Sequence, residues 1–335
     1  MGSVVLLVIS LAIILLGAEV FTNGVEWLGK ELNLSEGAVG SILAAVGTAL
    51  PETLIPVIAI LFGGAAEGRE IGIGAILGAP LMLSTLAMFV TGSAVVGFSR
   101  RRLHGTKVKV DTGVITRDLG FFLIVFTAAV LVGIVPWRRW QLFVAGLLVL
   151  SYLWYVYVTL NGETGMDNDV EGMRRCYFAF WKDNPSRNVI VFQVLAAIML
   201  IIMGADTFVA SVKDIARAYH VPAFILALII SPVATELPEK FNSLIWVSRG
   251  KDTLALGNIT GAMVFQSSLI PALGIIMTDW RLGTGALISA VCALLAAGLL
   301  YFQTVREGHI SASTLLLCGV FYGVFVLGVV EGVIR

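Results

Sequence analysis

Two short stretches of this chain set acids beside a proline in the middle of apolar sequence, Thr48-Ala49-Leu50-Pro51-Glu52 and Thr235-Glu236-Leu237-Pro238-Glu239. Proline inside a helix has no N–H to donate, and its ring clashes with the carbonyl four residues earlier. Pro51 would therefore free the carbonyl of Gly47, and Pro238 that of Ala234. Each stretch is expected to be a helix break at which carboxylate, hydroxyl and backbone oxygens meet, a hard-oxygen set suited to Ca²⁺, Na⁺ or a proton. Glu52, Glu239 and Glu236 are the candidate cation ligands, with the hydroxyls of Thr48 and Thr235. Ser84 and Gln266, polar residues in two further apolar stretches, could point at the same cavity. An ionisable side chain at this depth costs at least about 2.5 kcal/mol, so it is expected to face a cavity or a partner. Two carboxylates facing one another repel unless a cation lies between them. Protonated glutamates, or glutamates paired with Lys240 and a backbone donor, are the plain structural alternative.

The elements that would position these residues are membrane helices. Hydrophobic residues make up 58% of the 335 positions and charged ones 13%, more apolar surface than a water-soluble fold of this length could cover. Crossing about 30 Å of hydrocarbon takes roughly 20 helical residues, and bare strands cannot satisfy their backbone in lipid. About ten such helices are expected, over 3–28, 37–62, 71–98, 119–135, 138–160, 188–212, 221–247, 253–277, 283–302 and 312–334. The fold class is thus an all-α polytopic membrane protein.

Sliding the chain on itself reveals a repeat. Gly17-Ala18-Glu19-Val20-Phe21 falls on Gly204-Ala205-Asp206-Thr207-Phe208 at an offset of 187, and the same offset carries the first Leu-Pro-Glu stretch onto the second. Gly74-Ala75-Ile76-Leu77-Gly78-Ala79 falls on Gly257-Asn258-Ile259-Thr260-Gly261-Ala262 at 183. Five spans in each copy is an odd number, so the second copy must enter from the opposite side, an inverted repeat of the kind that recurs in secondary transporters. The expected organisation is a first repeat over 1–160, a cytosolic connector over 161–187 and a second repeat over 188–335. Glu19 and Asp206 are a second matched pair of acids, expected to orient the broken helices more readily than to ligate.

Charge bias across the ten spans puts the basic loops inside and both termini outside. The loop Ser99 to Asp118 is basic and reads as a topology determinant that could also touch anionic lipid. Net charge is zero, which gives no field for nucleic acid. Cys176, Cys292 and Cys318 have no metal-site or disulfide spacing. His104, His220 and His309 lie in no HExxH, GxSxG or Walker pattern, so an enzyme is not expected and no catalytic residue is assigned. Tryptophans such as Trp137, Trp140, Trp154, Trp181, Trp246 and Trp280 fall near span ends, where interfacial anchoring accounts for them.

The two Leu-Pro-Glu stretches, with Gly257-Asn258-Ile259-Thr260-Gly261, resemble the alpha repeats of the sodium/calcium exchanger family within the calcium/cation antiporter superfamily. That motif reads Gly-Thr-Ser-Leu-Pro-Glu followed by Gly-Asn-x-x-Gly-Ser-Asn. The resemblance implies exchange of Ca²⁺ for Na⁺ or H⁺, with Glu52 and Glu239 as central ligands and Thr48 and Thr235 beside them. The chain departs from the motif where Ala49 and Glu236 replace its serine, where Ala75 replaces its first asparagine, and at Ala79 and Ala262. Further along, Leu83 and Gln266 fall where a polar or acidic ligand is expected.

The expected function is therefore a secondary cation antiporter working by alternating access. Its partners would be inorganic cations and membrane lipid, with no nucleic acid, no cofactor and an oligomeric state left open. The expected location is the cell membrane. A transport-inactive relative with a structural or regulatory role is the competing reading, motivated by the missing ligands.

Overall fold

The computed structural model describes residues 2–31, 44–64, 66–162, 175–182 and 184–334. Residues 37–43 of the expected span 37–62, and 163–174 and 183 of the 161–187 connector, lie outside these residues. The described chain is built of helices: α1 (Gly2–Glu31), α2 (Ala44–Phe62), α3 (Glu67–Met82), α4 (Met88–Phe98), α5 (Thr112–Val132), α6 (Arg138–Gly162), α7 (Arg187–Tyr219), α8 (Ala223–Ser248), α9 (Asp252–Met277), α10 (Thr284–Glu307) and α11 (Ala312–Val330). A five-residue π-helical stretch, Leu83–Ala87, joins α3 to α4 without interruption. Eight stretches are long and apolar enough to cross a membrane, one of them Glu67–Arg101, and α2 and α8 hold shorter apolar runs, Pro51–Phe62 and Ala223–Val233. Such a chain is an integral, multi-pass membrane protein, because helices satisfy every backbone group within the segment.

The prolines did not break the helices as expected. Both α2, with Pro51 and Pro56 inside it, and α8, which runs through Pro232 and Pro238, are continuous. Neighbouring helices in a packed bundle can hold a proline-bearing helix in line although a donor is missing. Pro80 in α3 lies just before the π-helical stretch, where Ser84 donates its hydroxyl to the Pro80 carbonyl at 2.7 Å. The Ser84 hydroxyl thus gives its proton to its own helix.

Close helix approach depends on small residues. The most extensive pairing is between α1 and α7. A Cβ on Gly17 would fall 2.7 Å from Ile201 and 3.3 Å from Ala197, and one on Gly204 would fall 2.7 Å from Ile14 and 3.1 Å from Ser10. These contacts are related to one another by the 187-residue offset of the sequence repeat. Next most extensive is α3 against α8. There the absent Cβ atoms of Gly74 and Gly78 would lie 2.3 Å from the Phe224 carbonyl and 2.1 Å from the Leu228 carbonyl, so these two helices touch backbone to backbone.

α9 is fixed at both ends. At its start Asp252, 4% exposed, accepts a bidentate ion pair from Arg102, with Nη1 to Oδ1 at 2.7 Å and Nη2 to Oδ2 at 2.6 Å. The Lys109 backbone N–H adds a third bond at 3.0 Å, and Arg102 also donates to the Val247 carbonyl that ends α8. The loop carrying Arg102 forms a two-residue antiparallel strand, Lys107–Val108, against Ile310–Ser311 before α11. Arg102, one of the basic residues of this loop, thus clasps its own loop to the end of α8 and the start of α9. At the other end of α9, Arg138 donates to the carbonyls of Ile275 and Thr278, both at 2.6 Å, and of Ile276 at 2.8 Å. These are carbonyls of the negative end of a helix, which lack partners within it. Trp280 also departs from expectation. It is fully buried, not interfacial, and its indole donates to the Ala129 carbonyl at 2.9 Å.

Gly78→Val is expected to lower the stability of the purified protein by about 1–3 kcal/mol, since two backbones must separate to admit the side chain. Thermal unfolding in detergent reads the loss, with Gly298→Ala, where no described atom lies within 4 Å of the new Cβ, as the silent control. Arg102→Ala leaves the Asp252 carboxylate buried without its cation, and the expected cost is about 3–5 kcal/mol by the same measurement.

Candidate functional site

The oxygen-bearing residues collect on α2, α8 and α9, three helices in mutual contact. Glu236 on α8 is 2% exposed and Gln266 on α9 is 2% exposed. The Gln266 amide donates to Glu236 Oε1 at 3.0 Å. With its NH₂ turned to Glu236, the amide turns its oxygen elsewhere. That oxygen, Gln266 Oε1, is buried and meets no donor among the described residues. A buried amide oxygen without a donor beside a buried carboxylate is an arrangement that a hard cation would complete.

Thr235, one residue before Glu236, is buried and donates its hydroxyl to the Ser231 carbonyl at 3.1 Å. The donation uses its proton and leaves oxygen lone pairs. Glu52 on α2 is 8% exposed, within the apolar run that begins at Pro51. One residue further along, Thr53 and Pro56 of α2 face Ile270 and Gly274 of α9 across a narrow apolar crevice. The side chains of Thr48 and Glu239 lie outside the described residues, although the backbones of both are within α2 and α8. Of the six residues expected to ligate, four are therefore placed and buried, and Glu236 and Gln266 are in direct contact. Among the described residues no three His, Cys, Asp or Glu side chains gather as a metal cluster.

The second matched pair of acids lies elsewhere. Glu19 is exposed on α1 and accepts the Tyr177 hydroxyl at 2.7 Å, which ties the end of the connector to α1, and Asp206 is exposed on α7.

One buried acid escaped the sequence reading. With the span placed at 119–135, Asp118 counted as a loop residue, but α5 begins at Thr112, where the Asp111 side chain accepts from the Gly113 and Val114 N–H groups as a helix cap. Asp118 is thus in the second turn of α5 and 2% exposed. The cap at Asp111, an acid preceding an apolar run, is the signal that could have moved the boundary.

The model of the family described as "Sodium/calcium exchanger protein" matches residues 2–161 and 189–330. The chain belongs to the sodium/calcium exchanger family. Among its relatives, the putative antiporter CaxA of Alkalimonas amylolytica is 22% identical over 333 residues, covering 95% of this chain and 96% of that protein. The inner membrane protein YrbG of Escherichia coli (strain K12) is 21% identical, covering 82% of this chain and 79% of its own. Of solved structures, an H⁺/Ca²⁺ exchanger, CAX, superposes with a TM-score of 0.73 over 98% of this chain and 82% of that one at 17% identity. A sodium-calcium exchanger, NCX_Mj, does so with a TM-score of 0.57 over 98% and 97% at 19% identity. These likenesses are likenesses of fold. Exchangers are transporters, in keeping with the expectation that the chain is not an enzyme.

Gln266→Leu removes the amide donor from a buried carboxylate. The expected loss is about 1.5–3 kcal/mol of stability, read as a lowered midpoint of thermal unfolding. Gln266→Glu, which sets a second carboxylate against Glu236, is expected to be worse at neutral pH and to recover as the pH falls.

Proposed function

We propose that this family member is a secondary antiporter that exchanges Ca²⁺ for Na⁺ or H⁺ by alternating access. Glu52 and Glu239 are its central ligands, joined by Glu236, Gln266, Thr48 and Thr235. The observation that carries this reading is the buried Glu236–Gln266 pair with its unpartnered amide oxygen, set beside α2 and its buried Glu52. Ca²⁺ takes six to eight oxygens, and this residue set offers carboxylate, amide and hydroxyl oxygens toward that number. The family membership and the names of the relatives, an antiporter and an H⁺/Ca²⁺ exchanger among them, agree with it.

In this reading the chain has ten spans arranged as two inverted five-span copies, 1–160 and 188–335, with 161–187 as a cytosolic connector and both termini outside the cell membrane. The contacts of Gly17 with Ile201 and of Gly204 with Ile14 support the two-copy arrangement, because one offset relates both partners. A site between inverted copies can open to either side as the copies exchange conformations. The competing reading, a transport-inactive membrane partner, draws on Ala49, Ala79, Leu83 and Ala262, which put apolar side chains where the family motif places ligands.

Purified protein in liposomes tests the proposal. An outward Na⁺ or H⁺ gradient is expected to drive uptake of radioactive Ca²⁺, and Glu52→Gln and Glu239→Gln are each expected to reduce it to background. Uptake equal to wild type in both variants would overturn the ligand assignment. Calorimetric Ca²⁺ binding without uptake under either gradient would favour the inactive reading.

A further inference from the structure

Asp118 is a buried acid that the proposed site does not use. Its Oδ1 accepts the Tyr155 hydroxyl of α6 at 2.8 Å and two bonds from Arg117, both at 3.3 Å. Its Oδ2 accepts the Thr260 hydroxyl of α9 at 2.8 Å. Three helices, α5, α6 and α9, thus meet on one carboxylate. Arg117 also stacks on the Tyr155 ring, 5.2 Å from its centroid. The packing of the fold does not demand this cluster. Thr260 falls in the Gly-x-x-x-Gly stretch that repeats Gly74 to Gly78, and its counterpart there is Leu77, fully buried among apolar neighbours. A leucine fills the position in one copy, while in the other a hydroxyl reaches a charged group on a separate helix.

The cluster holds the helix that carries Gln266. Six residues separate Thr260 from Gln266, about 9 Å along α9 and about 120° around it. Thr260 therefore faces α5 and α6 while Gln266 faces Glu236 on α8. Sliding or turning α9 on one side displaces the amide on the other. Partners one shell beyond a cation ligand fix its orientation in the same way.

We infer that Asp118 is a positioning residue for cation binding, which acts through Thr260 to set the depth and rotation of α9 and hence the meeting of Gln266 with Glu236. The inference rests on the cation-site reading above, and its test includes a measurement that needs no ion.

Thr260→Val, Asp118→Asn and the double variant are compared with Thr260→Ser, which keeps the hydroxyl. In calorimetric Ca²⁺ titrations of the full chain in detergent, each single substitution is expected to raise Kd about tenfold, within the range for lost outer-shell partners. The double variant should be no weaker than the singles, since one contact serves both, and Thr260→Ser should bind as wild type. Hydrogen exchange of the cation-free protein is expected to quicken in α9 around Gln266 in Thr260→Val, with α10 unchanged. Wild-type Kd in Thr260→Val, or additive losses in the double variant, would overturn the proposal. Should wild type bind no Ca²⁺, the site reading fails by itself, and unchanged exchange around Gln266 then overturns the role of Asp118 independently. Should Asp118→Asn not fold, Thr260→Val and Thr260→Ser decide the matter.

Discussion

An acid inside a bundle of apolar helices must be matched by its surroundings, and the way each buried acid is matched sorts this molecule into scaffold and site. Asp252 is matched in full by a bidentate arginine and a backbone N–H. Asp118 is matched by a tyrosine, a threonine and an arginine. These groups are self-sufficient, and each ties α9 to a neighbour. Glu236 is matched by an amide whose oxygen has no donor among the described residues. In a low-dielectric interior such an oxygen is costly to leave alone, so the same physics that makes the first two acids structural makes the third a candidate for chemistry.

Without water to drive helices together, close contact in lipid comes from shape and from polar bonds. Both devices are present, in different places. Glycines let α1 meet α7 and α3 meet α8 at backbone distance. Around α9 the work falls to charged groups, with Arg102 at its start, Asp118 along its length and Arg138 over its last carbonyls. α9 carries Gln266, and its fixed position gives the amide a defined place against Glu236. A ligand held by well-packed and well-bonded neighbours loses little entropy on meeting an ion.

The candidate residues were legible because ionisable and amide groups stand out in apolar sequence, and because the repeat marked Glu52 and Glu239 as equivalents. Their partnership was not. Nothing in the spacing of Glu236 and Gln266, thirty residues apart on separate helices, states that one donates to the other. Ser84 had the same sequence credentials as Gln266, yet its short side chain bonds its own helix near Pro80, where Gln266 is long enough to leave α9. Asp118 was misread through a boundary, since a hydrophobic window begins a span at the first apolar run whereas the α5 cap at Asp111 begins it two turns earlier.

The sequence by itself determined that the chain lies in a membrane, that it is helical and that two stretches are related, because composition and repetition are properties of the chain alone. It also determined the family, through motifs that occupy short contiguous stretches. Only the tertiary structure decided which arginines are clasps, that the prolines sit in unbroken helices, that Trp280 is core, and which polar groups answer one another. Those outcomes depend on which faces of distant helices meet, and that is settled by glycine contacts and buried ion pairs between residues more than a hundred positions apart.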